Sequence, residues 1–420
     1  MEKLKICLVF IALYSLSFAQ NGSIDCISSA PGEDASRQVL ISWSADTTHS
    51  GSHVLYTRVK DKQWKRKTVV IPDENRRCDL FGEVEGVVFN KCGATIDGLR
   101  PDTDYKYVVE TEDGGRSREG YFRTAGAKQW SAVLISDIHS TPRSPRRLSS
   151  AMSMIDLVET IDPSLDFVLS LGDVVSHSNS YSYWKTLFDE PNFAEHMWAR
   201  VNGNHDNWTK DCKPEERLFV PNHYYPATSY YPHNGYEGES GVCYHFRYGN
   251  TFFVMLNSED MSKAGGELDA AIEWTRKVVL EARASACPPD FVVVCMHSNW
   301  FMGETGKALQ YDSWSKLFDE TGVNLALSGN NHIYVRSKPL REGRFDENGT
   351  VYLQTPSSDN DRGRFISDGT FENCELIACR WTEGKKTVGA VHMSVDRRTM
   401  TLTLYDRSGN VVDVCSLSSD

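Results

Sequence analysis

Five polar clusters carry the side chains whose types and spacing could do chemistry: Asp137-Ile-His139, Gly172-Asp173, Gly203-Asn204-His205-Asp206, His297, and Gly329-Asn330-Asn331-His332. Carboxylates, imidazoles and amide oxygens are all donors to metal ions. A lone Asp or His beside a strand is ordinarily structural, because short polar side chains satisfy turn backbone. Here each cluster lies at the end of an apolar run, at 133–135, 167–171, 198–201, 291–296 and 323–327. Repeated in order, all of ligand type and all at the same edge of one predicted sheet, they point to a shared centre. Two cations a few ångströms apart need one carboxylate to bridge them and neutral donors to complete each shell, leaving a water as nucleophile. Asp173 is the natural bridge, and strand-end placement lets residues far apart in sequence converge.

The elements that must position these groups follow from periodicity. After Trp130, short apolar strands alternate with helical stretches: a strand at 133–135, a helix over 148–161, a strand at 167–169, a helix over 267–284, a strand at 291–296, a helix around 314–318 and a strand at 323. Such alternation predicts an α/β layered domain that binds ligands at the carboxyl ends of its strands. Residues 391–417 return to period two around Ser408-Gly-Asn410 and predict a closing hairpin. Upstream, Val39, Ile41 and Trp43, then Leu55, Thr57 and Val59, then Tyr105, Tyr107 and Val109 alternate with other residues, which predicts a small antiparallel all-β sandwich. Leu99-Arg-Pro101-Asp-Thr103-Asp-Tyr105 resembles the corner of fibronectin type III domains, where the tyrosine bonds back to the chain.

The order D-x-H, G-D, G-N-H-D, H and G-x-x-H resembles the calcineurin-like metallophosphoesterase family from about Trp130 onward, and the preceding sandwich makes the layout similar to the purple acid phosphatases within it. Tyr334-Val-Arg336 and Gly349-Thr-Val-Tyr352 extend the match. The resemblance implies two divalent or trivalent ions drawn from iron, zinc and manganese. Asp137, His139, Asp173 and His332 would hold the first; Asp173, Asn204 and His297 would hold the second, with Asn330 in the remaining place. His205 would protonate the leaving oxygen, oriented by Asp206. The implied substrate is a small-molecule phosphate ester. An acid-phosphatase-like monoesterase is favoured, with a phosphodiesterase or nucleotide hydrolase of the same fold, or a binding protein that has lost turnover, as alternatives. Three positions depart from the purple acid phosphatase pattern: Ser176 stands where a tyrosine follows the bridging aspartate, His139 replaces a glycine, and Asn330 replaces a histidine.

Lys3 and Lys5, an apolar run over 6–16 and Ser17-Phe-Ala19 read as a secretory signal peptide. The expected division is therefore 1–19 signal, 20–126 fibronectin type III-like sandwich and 127–420 metallophosphoesterase domain. Of 11 cysteines, one, Cys7, leaves with the signal; the rest are an even set in which some disulfides are expected, with pairing open and Cys295 equally suited to a buried thiol. Asn21, Asn207 and Asn348 begin N-glycosylation triplets. No later segment is apolar for long enough to span a bilayer. A net charge of −12 disfavours non-specific binding to nucleic acid or anionic membrane. The tyrosine-rich run 222–233 is as well suited to a loop at the substrate mouth as to a packed surface loop. For His177 a loop role is favoured over substrate contact, and for Arg336 an ion pair over phosphate binding.

Overall fold

The computed structural model describes residues 24–46, 51–61, 64, 66–68, 77–81, 87–207, 243–258, 266–302, 306–307, 309–359 and 374–419. The expected signal, Asn21, Cys212 and the tyrosine-rich run 222–233 lie outside the described residues.

The first eight strands are β1 Ile24–Pro31, β2 Val39–Asp46, β3 Ser52–Arg58, β4 Arg66–Thr68, β5 Arg77–Phe81, β6 Val87–Ile96, β7 Asp104–Thr111 and β8 Gly120–Arg123. One sheet contains β1, β2, β6 and β5, and the other β4, β3, β7 and β8. Val39, Ile41 and Trp43 are buried as the alternation predicts, and Leu40 and Ser42 are buried too, so β2 is covered on both faces. In β3 the phase is largely the opposite one: Val54 and Tyr56 enter the core and Leu55 is half-buried, Thr57 is buried as well, and Val59 lies past the strand and is 47% exposed. A period of two cannot choose between faces when both carry apolar residues. The corner forms as expected, with the Arg100 N–H donating to Tyr105 Oη at 3.0 Å. Its ring stacks on Phe122 at 5.1 Å.

The remaining strands are β9 Gln129–Ile135, β10 Phe167–Ser170, β11 Met197–Arg200, β12 Tyr244–Tyr248, β13 Thr251–Met255, β14 Phe291–Cys295, the ribbon β15 Phe301–Met302 with β16 Gly306–Lys307, β17 Leu325–Ser328, β18 Tyr334–Ser337, the ribbon β19 Leu340–Arg341 with β20 Arg344–Phe345, then β21 Val351–Gln354, β22 Ile377–Trp381, β23 Gly389–Asp396, β24 Thr399–Asp406 and β25 Val411–Ser418. They complete two mixed sheets. The larger runs β25-β24-β23-β9-β10-β11-β1-β2-β6-β5, and the smaller β12-β13-β14-β17-β21-β18-β22. The sandwich is thus hydrogen-bonded into the larger sheet, through the parallel pairing of Ser29 with Met197.

Side-chain alternation builds the layers. Ala132 and Leu134 of β9 face a core shared with Phe253, Val293 and Leu325 of the smaller sheet. Val133 and Ile135 face Leu148, Ile155 and Val158 of the helix Pro145–Ile161. Val292, Val294 and Ala326 pack against Val279, Trp314 and Phe318 of the helices Gly266–Ala284 and Leu309–Thr321. Strands covered on both faces read as continuous apolar runs, which is why those runs stood out in the sequence. Each such fully buried aliphatic side chain contributes about 1.5–3 kcal/mol.

One expectation needs correcting. The five clusters do not share a single sheet: β9, β10 and β11 belong to the larger, β14 and β17 to the smaller. Both sets are parallel, so their carboxyl ends meet at the same end of the sandwich. Two sheets surround a point from opposite sides, which one sheet edge cannot do. Cys287, Cys295, Cys379 and Cys415 are free thiols, and burial pushes the Cys295 thiol well above its ordinary range.

Candidate metal centre

Beyond β9 the chain turns sharply. The Asp137 N–H donates to Gly172 O at 3.0 Å and the His139 N–H to Asp173 O at 2.9 Å, so the loops after β9 and β10 hold each other. Asp137, His139, Asp173, Asn330 and His332 all have positive φ, between 47° and 68°. Each costs of order 1–3 kcal/mol, and such strain persists only where the surroundings over-determine it. The glycines of the motifs meet a spatial need as well. A Cβ on Gly203 would lie 2.2 Å from Asp173 Oδ1, and one on Gly172 2.5 Å from His297 Nδ1.

These turns bring the donors together. His332 Nε2 lies 3.4 Å and His139 Nε2 3.7 Å from Asp137 Oδ1. His297 Nε2 lies 3.3 Å and His139 Nε2 3.8 Å from Asp173 Oδ2. Three overlapping groups, Asp137/His139/His332, His139/Asp173/His205 and Asp137/Asp173/His297, each place their donor atoms within 4.8 Å of one another. Two donors roughly 2.0–2.2 Å from one cation stand roughly 3–3.5 Å apart. The spacing therefore fits a metal ion. So does Asp137 Oδ1, a buried carboxylate oxygen with no hydrogen-bond donor among the described residues.

Proton positions support ligation. Leu171 O lies 2.7 Å from His297 Nδ1, and a carbonyl only accepts, so Nδ1 carries the hydrogen and Nε2 keeps its lone pair toward Asp173. His205, whose expected part is proton donation and not ligation, also has Nδ1 donating to a carbonyl, Ser176 O at 2.9 Å, while its backbone N–H donates to Asp173 Oδ1 at 2.8 Å. Burial opposes the charge on Asp173, but His297, then His139 and His205, hold its carboxyl below the ordinary range.

Asp206 differs from its expected part. Its carboxylate accepts the backbone N–H groups of Gly203 at 2.8 Å and Val175 at 3.2 Å, tying together the loops after β10 and β11. Burial first, and the neighbouring charge of Asp173 second, push it up to about 8. The Ser176 carbonyl, a backbone group without a sequence signal, is what orients the His205 ring. Ser176 itself donates its hydroxyl to His139 O at 2.8 Å.

Asn204 opens the short helix Asn204–Asn207 and is half-buried. Asn330 donates its backbone N–H to Asp137 Oδ2 at 3.1 Å and its amide Nδ2 to Asn299 Oδ1 at 3.3 Å. Asn299 was not singled out in the sequence. His177 is exposed, its ring 5.7 Å from that of Tyr183, and is not among the grouped donors. Arg336 forms the expected ion pair, through Nε at 2.6 Å and Nη2 at 3.0 Å to Asp413.

Residues 131–334 match the calcineurin-like phosphoesterase family, and residues 25–124 match the purple acid phosphatase N-terminal domain. The chain carries a calcineurin-like phosphoesterase domain behind a purple acid phosphatase N-terminal domain. The uncharacterized protein Rv2577 of Mycobacterium tuberculosis is 25% identical over 74% of this chain and 61% of its own length. The probable purple acid phosphatase 20 of Arabidopsis thaliana is 24% identical over 64% of this chain and 60% of its own. The chain thus spans about three fifths of the length of the curated relatives it matches. The purple acid phosphatase PPD1 from yellow lupin superposes with a TM-score of 0.72 at 15% identity, covering 95% of this chain and 75% of that one, and so shares the fold. No helix among the described residues is long and apolar enough to cross a membrane.

Proposed function

We propose that the protein is an exported, binuclear metal-dependent hydrolase of phosphate monoesters. The observation that carries this reading is the convergence of Asp137, His139, Asp173, His297 and His332, with His205 beside them. Asp137, His139, Asp173 and His332 would hold one ion, and Asp173, His297, Asn204 and Asn330 would hold the other. When bound, the two ions supply Lewis-acid polarisation and a lowered water pKa. The protein positions and protonates. With Nδ1 fixed on the Ser176 carbonyl, His205 turns Nε2 to the leaving oxygen and donates the proton it needs. Asp206 keeps the loop of His205 against that of Asp173. Iron, zinc and manganese all suit this mixed set of nitrogen and oxygen donors.

A second reading, a binding protein without turnover, draws on Asn330, whose amide nitrogen is engaged with Asn299. Elemental analysis for bound metal, combined with assay of a chromogenic phosphomonoester, separates the two. The hydrolase reading expects two ions per chain at saturation and turnover that a chelator abolishes. Metal binding without hydrolysis of any phosphate ester would favour the binding protein.

A further inference from the structure

Three guanidinium groups lie within five residues, in Arg143-Ser-Pro-Arg146-Arg147, on a chain of net charge −12. They begin four residues after His139. Arg147 Nη1 lies 3.4 Å from Ser176 Oγ, whose hydroxyl reaches His139 O and whose carbonyl holds the His205 ring. Arg147 is thus joined through Ser176 to the loops that carry His139 and His205. Arg143 and Arg146 are exposed, and neither has a carboxylate partner among the described residues. The helix Pro145–Ile161 has no acidic residue in its first turn, so Arg146 and Arg147 add to the positive helix end instead of offsetting it. So much positive charge beside a cationic centre is unfavourable by itself and is relieved by an anion, and the guanidinium fork matches phosphate oxygens.

The geometry points to Arg143, Arg146 and Arg147 as the element that receives a second phosphoryl group of the substrate, so that the preferred substrates are small bisphosphate esters. This rests on the phosphoesterase reading above and adds a preference within it. Arg147 steadies Ser176, and the two exposed arginines present their donors to the distal phosphate.

The test uses α,ω-alkane bisphosphonates of one to six carbons, which cannot be hydrolysed, against alkyl monophosphonates of equal length, titrated calorimetrically into the metal-loaded full chain. At least one bisphosphonate should bind about tenfold to a hundredfold more tightly than its monophosphonate, the range expected of charge-assisted hydrogen bonds. In the double variant Arg143→Gln/Arg146→Gln that gap should close to about threefold or less, with metal content and melting temperature unchanged. A gap absent from the wild type, or a double variant that weakens both ligands alike, overturns the inference. If a chromogenic monoester is still turned over in that case, the hydrolase reading stands without it. If neither phosphonate binds and no ester is cleaved, both readings fall.

Discussion

The site proposed for the first ion offers the Asp137 carboxylate and the imidazoles of His139 and His332, all at most 5% exposed, whereas that proposed for the second offers one buried imidazole, His297, and the amides of the half-buried Asn204 and Asn330. In that assignment Asp173 belongs to both halves. An amide oxygen is a harder and weaker donor than imidazole toward zinc or ferrous ion, and the Asn330 amide is partly committed to Asn299. On the proposed assignment the difference predicts that the two ions would be held unequally: a tight first site and a second that fills when metal is abundant and leans toward oxygen-preferring ions such as manganese.

The comparison breaks most visibly through His332→Ala. It should remove the tightly held ion and lower turnover on the order of a thousandfold, as expected when several kcal/mol of Lewis-acid stabilisation is lost. Metal content by elemental analysis checks it, and retention of both ions would show that the halves are not distinct. Next in size is His205→Ala, which should cut hydrolysis of esters with poor leaving groups by on the order of a hundredfold or more. Esters whose leaving group needs no proton should lose less. Equal loss on both would remove His205 from the acid's role.

Asn330→His sharpens the comparison instead. It should raise second-site affinity about tenfold, the scale on which changes around a metal site act, and raise turnover at limiting metal while changing little at saturation. A wild type that already binds two ions tightly in a metal titration would refute the weak half. The smallest effect is spectroscopic. The Ser176 hydroxyl is held by His139 O, so no phenolate from this position reaches the first ion, and the iron-loaded protein should not be purple. A strong visible band that vanished on replacing a nearby tyrosine would show another phenol in that place.

Much of this was legible because the chemistry sits at strand ends. Apolar runs marked β9, β10, β14 and β17, and the polar residues after them had to lie at their carboxyl ends whatever the packing. The Tyr105 corner was legible for a similar reason, since its bond to Arg100 spans five residues. The inward face of β3 was not, because Leu55 and Val54 are equally apolar and only the opposing sheet selects one of them.

Residue type and order alone determined the candidate donors, the two-part architecture and the departures at Ser176, His139 and Asn330, because donor chemistry is a property of the side chain and strand direction a property of local periodicity. Tertiary structure decided the rest. It distributed the clusters over two sheets, gave the orientation of His205 to the Ser176 carbonyl, turned Asp206 to the backbone of Gly203 and Val175, and brought Arg147 to Ser176. All of those contacts but the one between Gly203 and Asp206 join groups from different loops. Backbone carbonyls and amides are the same at every residue, so nothing in a sequence distinguishes the few that a fold brings to a site.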